Sequence, residues 1–447
     1  MKTLRNLPKI DQFIKHEEFK NLNHELILKL SKKVINDKRE KILNDNEESV
    51  NEKELVHEVI NLYQKILNLG TKPVINATGV TIHTNLGRSP ISKEIFDKVK
   101  NIVCGYSDLE YNLSSGLRGE RYKEITKLFK ILFEVEDVLI VNNNAAAVFL
   151  ILNTFANKKE IIVSRGELVE IGGSFRIPEV MRESGAILHE VGTTNKTKID
   201  DYKNAINEQT SMLMKVHQSN FTIEGFSQSV SFEDMHIVAK EKGLIDYFDL
   251  GSGYVGELPF NLSNNEPSLE KILKQKPSLI SFSGDKLFGS VQAGIIFGKK
   301  ELIEKLKKNQ ILRMLRVDKV TLTLLEECIK AYILKDYEQI TTRKLLNISV
   351  DELRKRAELL ITKIGKNRCE VIDTFTYVGG GTMPNKKIPS IAIKFNFEAK
   401  TLEKIFRENF VIGRIEQDAY LLDFRSIDED EDEKLLSIIN KIVKSLS

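Results

Sequence analysis

The chain has 447 residues, 41% of them hydrophobic, with 67 Lys and Arg against 64 Asp and Glu for a formal net charge of +3. That length implies two to three domains with sizeable cores, and so small a net charge neither demands nor excludes a nucleic-acid partner. Cys104, Cys328 and Cys369 are far apart and odd in number, which argues against a disulfide framework and a Cys-x-x-Cys metal site and suits a reduced, cytoplasmic setting. Met1 to Pro8 lacks the apolar core of a signal peptide, and the longest apolar run, Ala145 to Leu152, is too short to span a bilayer, so no membrane role is expected.

Residues 1–70 read as a helical module. Leu26, Ile27, Leu30, Val34 and Ile35 recur at helical spacing, as do Leu55, Val56, Val59, Ile60 and Tyr63. Ser49, Asn51 and Glu52 offer capping chemistry before the second run, so Asn44 to Asn51 is expected to be a loop. The module holds 13 Lys and Arg against 12 Asp and Glu, yet Lys29, Lys32, Lys33, Lys38, Arg39 and Lys41 cluster. Such a cluster fits a solvated helix face as well as a contact to RNA phosphates.

Between about 130 and 300, short apolar runs alternate with amphipathic segments. The runs are 138–141, 161–164, 186–191, 212–216, 244–250, 279–282 and 293–297; helix-like stretches such as 145–155 and 232–242 lie between them. This alternation predicts an α/β fold with a largely parallel sheet, helices on both faces, and a ligand site at the carboxyl ends of the strands. A large domain over 71–334 and a smaller α+β domain over 335–447 are expected. The second should contain strands near 388–397 and 419–424, a turn at Gly379–Gly381, and a closing helix from Glu431 led by the acidic run 428–433.

Candidate chemistry falls at the predicted strand ends. Lys286 follows the run 279–282, three residues behind Ser283, in the stretch Ser281-Phe-Ser-Gly-Asp-Lys-Leu-Phe-Gly289. An amine able to form a Schiff base, with a hydroxyl near a phosphate, is how many enzymes hold pyridoxal 5′-phosphate (PLP). Asp249 closes the preceding predicted strand ahead of Gly251-Ser-Gly253 and is suited to keep a pyridine nitrogen protonated. The strand-loop-helix junction Asn142 to Ala147, with Asn143, Asn144 and Ala145 at its centre, offers free N–H groups to the phosphate. His217 ends another predicted strand on the same side, where it can touch the cofactor. For His217 and for His83, a hydrogen-bonded structural role fits equally well. No His, Cys or carboxylate cluster has metal-ligand spacing, so no metal is expected.

Taken together, Asn76 to Pro90 (NATGVTIHTNLGRSP), Asp249 to Gly253 (DLGSG) and Ser283 to Lys286 (SGDK) resemble the bacterial selenocysteine synthase family, the L-seryl-tRNA(Sec) selenium transferases. The likeness extends over 106–113, 116–122, Glu167 to Pro178 with its Gly172-Gly173 pair, 191–196 and 414–416. It implies the aspartate-aminotransferase-like fold type I, with Lys286 as the cofactor lysine. It also implies conversion of L-seryl-tRNA(Sec) to L-selenocysteinyl-tRNA(Sec) with selenophosphate, through an aminoacrylyl intermediate. Arg88, Arg313, Arg316 and Asp285 match family active-site positions. The arginines would hold the anionic selenium donor, and a helix carrying Arg313 and Arg316 would point both at one anion. Asp285 would assist proton transfer or hold the arginines. The resemblance further implies a homodecamer, a pentamer of dimers, with the N-terminal module recognising the tRNA. Two other readings stand beside it: a paralogous PLP lyase or transferase acting on a free amino acid or amino sugar, and a noncatalytic RNA-binding protein on the same fold.

Overall fold

The structure is a computed structural model that describes residues 3–44, 50–171, 175–264, 266–365, 368–379 and 381–446. Ser49, the Gly172-Gly173 pair and Gly380 of the expected turn lie outside the described residues. The chain divides into two compact units, Met1–Pro73 and Val74–Ser447.

In the first unit, helices α1 (His24–Asn44) and α2 (Glu52–Leu67) carry the two predicted stripes. Ile27, Leu30, Val34 and Ile35 of α1 meet Leu55, Val56, Val59 and Tyr63 of α2, and Phe13 and Phe19 complete the core. Asn51 caps α2 by accepting from the Lys53 N–H at 3.1 Å, which satisfies one of the donors a helix start leaves free. Lys29, Lys32, Lys33, Arg39 and Lys41 are all exposed.

The second unit is built on a seven-stranded sheet: β1 (Asp137–Val141), β2 (Glu160–Ser164), β3 (Ile187–Val191), β4 (Thr210–Val216), β5 (Ile245–Gly251), β6 (Leu279–Ser283) and β7 (Gly294–Gly298). Their spatial order is β1-β7-β6-β5-β4-β2-β3. Only β7 runs antiparallel to its neighbours β6 and β1. Strands such as β6 in the interior of the sheet and β1 at its end are buried at every position, as expected for a sheet covered on both faces, and this is why they read as continuous apolar runs. Because β4, β5 and β6 are parallel neighbours, His217, Asp249 and Ser283 all fall at one edge of the sheet. Helix α3 (Asn144–Phe155) leaves that same edge after β1.

A second sheet of β8 (Cys369–Gly379), β9 (Thr382–Phe395), β10 (Arg414–Glu416) and β11 (Ala419–Asp423) is antiparallel, in the order β8-β9-β11-β10. Helices Val350–Ile364, Ala399–Glu408 and Asp432–Ser445 share its core. Ile75–Asn76 pairs in parallel with Val411–Ile412, and Ile75 and Ala77 are buried in the same core. The approach to the first motif is thereby fixed to the C-terminal part of the chain. The closing helix begins at Asp432, one residue later than expected. Asp428 caps a short 3-10 turn before it, and Glu431 makes no capping bond. Among the described residues no helix is long and apolar enough to cross a membrane, and no cluster of three or more His, Cys, Asp or Glu could hold a metal ion.

Candidate active site

Lys286 lies three residues past the end of β6, in an excursion of ten residues that returns as β7. The turn is tight: the Gly284 N–H donates to Ala293 O at 2.9 Å and the Gly289 N–H to Lys286 O at 2.9 Å. Glycine is required at 284, where a Cβ would stand 2.5 Å from the Val291 carbonyl oxygen. Two hydroxyls hold the lysine backbone from the other side, Ser89 Oγ donating to Lys286 O and Thr342 Oγ1 to Ser89 Oγ, each at 2.9 Å. The lysine side chain is buried. Burial lowers its pKa, because the cation loses its hydration; Asp249 opposes that shift, Arg88 adds to it, and Asp285 and Glu266 oppose it.

Asp249, near the end of β5, is 6% exposed. Burial raises its pKa, and hydrogen bonds from Asn144 and Gly251 hold it back. Asn144 Nδ2 donates at 2.8 Å and the Gly251 N–H at 3.0 Å, both to Oδ1, so Oδ2 is left for a further donor. Gly251 has φ 64°, and a Cβ there would lie 3.3 Å from Ser219 Oγ and 3.9 Å from Lys286 Nζ. The glycine keeps the space beside the lysine open.

At the start of α3, Asn143 Oδ1 accepts from the Ala146 N–H at 2.8 Å. The N–H groups of Asn144 and Ala145 belong to the first turn, where a helix has no acceptor of its own and favours an anion. Ser283 is buried at the end of β6.

Arg88 reaches the same edge from the first motif, with Nη1 2.9 Å from Asp285 Oδ2. Its backbone has φ 63°, after Gly87 at φ 94°. A non-glycine residue held there costs about 1–2 kcal/mol, so the local fold spends stability to aim this side chain. Arg316 closes the short helix Leu312–Leu315 in extended conformation instead of continuing it. The expected shared helix face therefore does not form: Arg316 Nη1 turns to Glu110 Oε1 at 3.5 Å, while Arg313 is exposed. The helix still borders the junction 142–147, since the Asn142 N–H donates to Leu315 O at 3.0 Å. His217 Nε2 lies 3.0 Å from Glu266 Oε2. His83 Nδ1 is buried without a partner, and burial lowers its pKa.

Sequence reasoning missed the bond from Asn144 to Asp249, the Ser89–Thr342 support, Glu110 and Glu266. Ser89 lies inside the first motif, which was a usable signal; Glu266 lies in a loop and carried none.

The site has the features PLP requires: a buried amine of lowered pKa, a buried carboxylate with one oxygen to spare, and a helix start. Asn144 Oδ1 and Asp285 Oδ1 are buried polar atoms with no protein partner, as expected of a pocket that completes its hydrogen bonds on a bound group. Fold and site define a PLP-dependent enzyme of fold type I, the aminotransferase-like class.

The family described as SelA, L-seryl-tRNA selenium transferase, matches residues 74–428. The chain is 54% identical to the L-seryl-tRNA(Sec) selenium transferase of Aliarcobacter butzleri over 449 residues, covering 100% of both chains. It is 53% identical to that of Sulfurimonas denitrificans over 443 residues, covering 98% of this chain and 99% of the relative. Among solved structures it is similar in fold to D-glucosaminate-6-phosphate ammonia-lyase, with TM-score 0.59 and 19% identity over 86% of this chain and 98% of the other. The chain belongs to the L-seryl-tRNA selenium transferase family and is a PLP-dependent transferase of selenocysteine biosynthesis.

Proposed function

We propose that this chain converts L-seryl-tRNA(Sec) to L-selenocysteinyl-tRNA(Sec) with selenophosphate as selenium donor, as a cytoplasmic homodecamer. In this reading residues 1–70 select the tRNA, 71–334 carry the cofactor and 335–447 form the smaller domain. The observation that carries it is the buried Lys286 beside Asp249 in a chain of this family.

Lys286 would hold PLP covalently, Asp249 Oδ2 its pyridine nitrogen, and Ser283 with the Asn143, Asn144 and Ala145 region its phosphate. Bound there, PLP supplies an electron sink for negative charge developing at the seryl Cα. Lys286 Nζ would take the seryl Cα proton, a task its lowered pKa suits because more of the amine is unprotonated near neutral pH. The β-hydroxyl departs as water, selenium takes its place on Cβ, and hydrolysis of the P–Se bond releases phosphate. Arg88 offers a charged donor to the selenophosphate oxygens, while Asp285 holds the guanidinium in place. Arg313 and Arg316, bordering the phosphate loop, add positive charge for the same anion, and His217 contacts the cofactor.

Purified protein given PLP, selenophosphate and either seryl-tRNA(Sec) or free serine tests this reading. Selenocysteinyl-tRNA should form and free selenocysteine should not; selenium transfer to free serine alone would favour an enzyme of small amino acids.

A further inference from the structure

Glu266 stands at the carboxyl edge of the large sheet, where its side chain ties two neighbouring strand ends together. Its Oε1 accepts from Ser252 Oγ at 2.8 Å, just beyond β5. Its Oε2 lies 3.0 Å from His217 Nε2, just beyond β4. The His217 and Glu266 side chains are 16% and 9% exposed. The backbone around them is held as well: Tyr254 Oη donates to Glu266 O at 3.2 Å, Ser268 caps the helix that follows, and the His217 N–H donates to Asp249 O at 2.9 Å.

An ionised carboxylate only accepts hydrogen bonds, so the hydrogen between the two side chains sits on His217 Nε2. Nδ1 is then the ring nitrogen left for other partners. In liganding histidines a carboxylate on the far nitrogen fixes tautomer and ring orientation in the same way. Glu266 also places a negative charge that favours the cationic form of Lys286, which a purely apolar brace would not do.

We propose that Glu266 is a positioning residue of this active site, holding His217 as the Nε2–H tautomer against the loop after Asp249 so that Nδ1 serves the cofactor beside Lys286. This rests on Lys286 being the cofactor lysine.

The test uses full-length protein stripped of and reloaded with PLP, in Glu266→Gln, Glu266→Ala, His217→Gln and the Glu266→Ala/His217→Gln double variant. Two quantities are read: PLP affinity by absorbance titration, and the pH at which the visible band of the bound cofactor is half converted. Glu266→Ala should weaken PLP about tenfold, the lower end of what loss of an outer carboxylate partner costs. Glu266→Gln can still accept from Nε2–H, so it should keep most of the affinity while the half-conversion pH moves down, because a negative charge near Lys286 is gone. In the His217→Gln background, Glu266→Ala should cost little further affinity, since the two act as one unit. Unchanged affinity in Glu266→Ala, fully additive losses in the double variant, or a Glu266→Gln protein that melts and binds like Glu266→Ala would each overturn the proposal. A wild-type band that survives Lys286→Ala would overturn the cofactor site itself. A Lys286-dependent band indifferent to Glu266 overturns only the positioning role.

Discussion

Replacing Asn144 with Ala isolates the least expected contact at the cofactor site. Asp249 is buried and receives two hydrogen bonds, both on Oδ1, from Asn144 Nδ2 at 2.8 Å and the Gly251 N–H at 3.0 Å. A hydrogen bond to a charged group contributes about 1.5–3 kcal/mol, so its loss should weaken PLP binding by roughly ten- to a hundredfold. The loss should also depend on pH. Burial already lifts the Asp249 pKa and Asn144 holds it down, so the variant carboxyl gains its proton at higher pH. Only the ionised carboxylate pairs with a protonated pyridine nitrogen, so the acid limb of PLP affinity should move upward in pH relative to wild type. Fluorescence titration of PLP-free protein from pH 5 to 9 measures both effects. Affinity within twofold of wild type and an unmoved acid limb in Asn144→Ala, with Asp249→Asn strongly impaired, would refute the coupling of Asn144 to Asp249.

Arg88→Ala and Arg88→Gly should both lose selenium transfer while retaining cofactor. The glycine variant should be the more stable by about 1 kcal/mol because φ 63° suits it, a difference read from urea melts. Burial lifts Glu326 to about 7 from an ordinary 4.5, so the folded chain keeps a proton that the unfolded chain has lost; this stability is full below pH 4.5 and declines as pH rises through about 7. Glu326→Gln should therefore stabilise the protein more at pH 8 than at pH 5, by about 1–2 kcal/mol once the partial exposure of this side chain is discounted; equal melting shifts at both pH values would contradict this. Protein lacking residues 1–70 should bind PLP but lose its preference for tRNA(Sec) over tRNA(Ser) in filter binding at several salt concentrations; an unchanged preference would remove the module as selector.

The large sheet was legible because strands such as β1 and β6 are buried at every position and so read as uninterrupted apolar runs, 138–141 and 279–282. β8 was not: its residues alternate between buried and exposed positions and include Glu370, Asp373 and three threonine or tyrosine positions, Thr374, Thr376 and Tyr377, so no run marked it. The two-residue pairing of Ile75–Asn76 with Val411–Ile412 is a contact across more than 300 positions and has no local signature. At the site, Lys286 and Asp249 stood out because glycine-rich turns follow strands there. Spacing alone did not show that Arg313 and Arg316 lack a shared helix face: three residues apart suggests one, whereas the helix ends at Leu315 and Arg316 turns to Glu110. Glu266 acts through tertiary contacts that only the folded chain brings together.

The central claim is that Lys286 carries PLP and yields it to a serine esterified to tRNA. Borohydride reduction of the PLP-loaded protein followed by peptide mapping, with and without prior addition of seryl-tRNA(Sec), tests it most directly. The label should fall on Lys286 in the protein alone and move to the seryl group when seryl-tRNA(Sec) is present. A label on another lysine, or one on Lys286 that free serine displaces and seryl-tRNA(Sec) does not, would contradict the account.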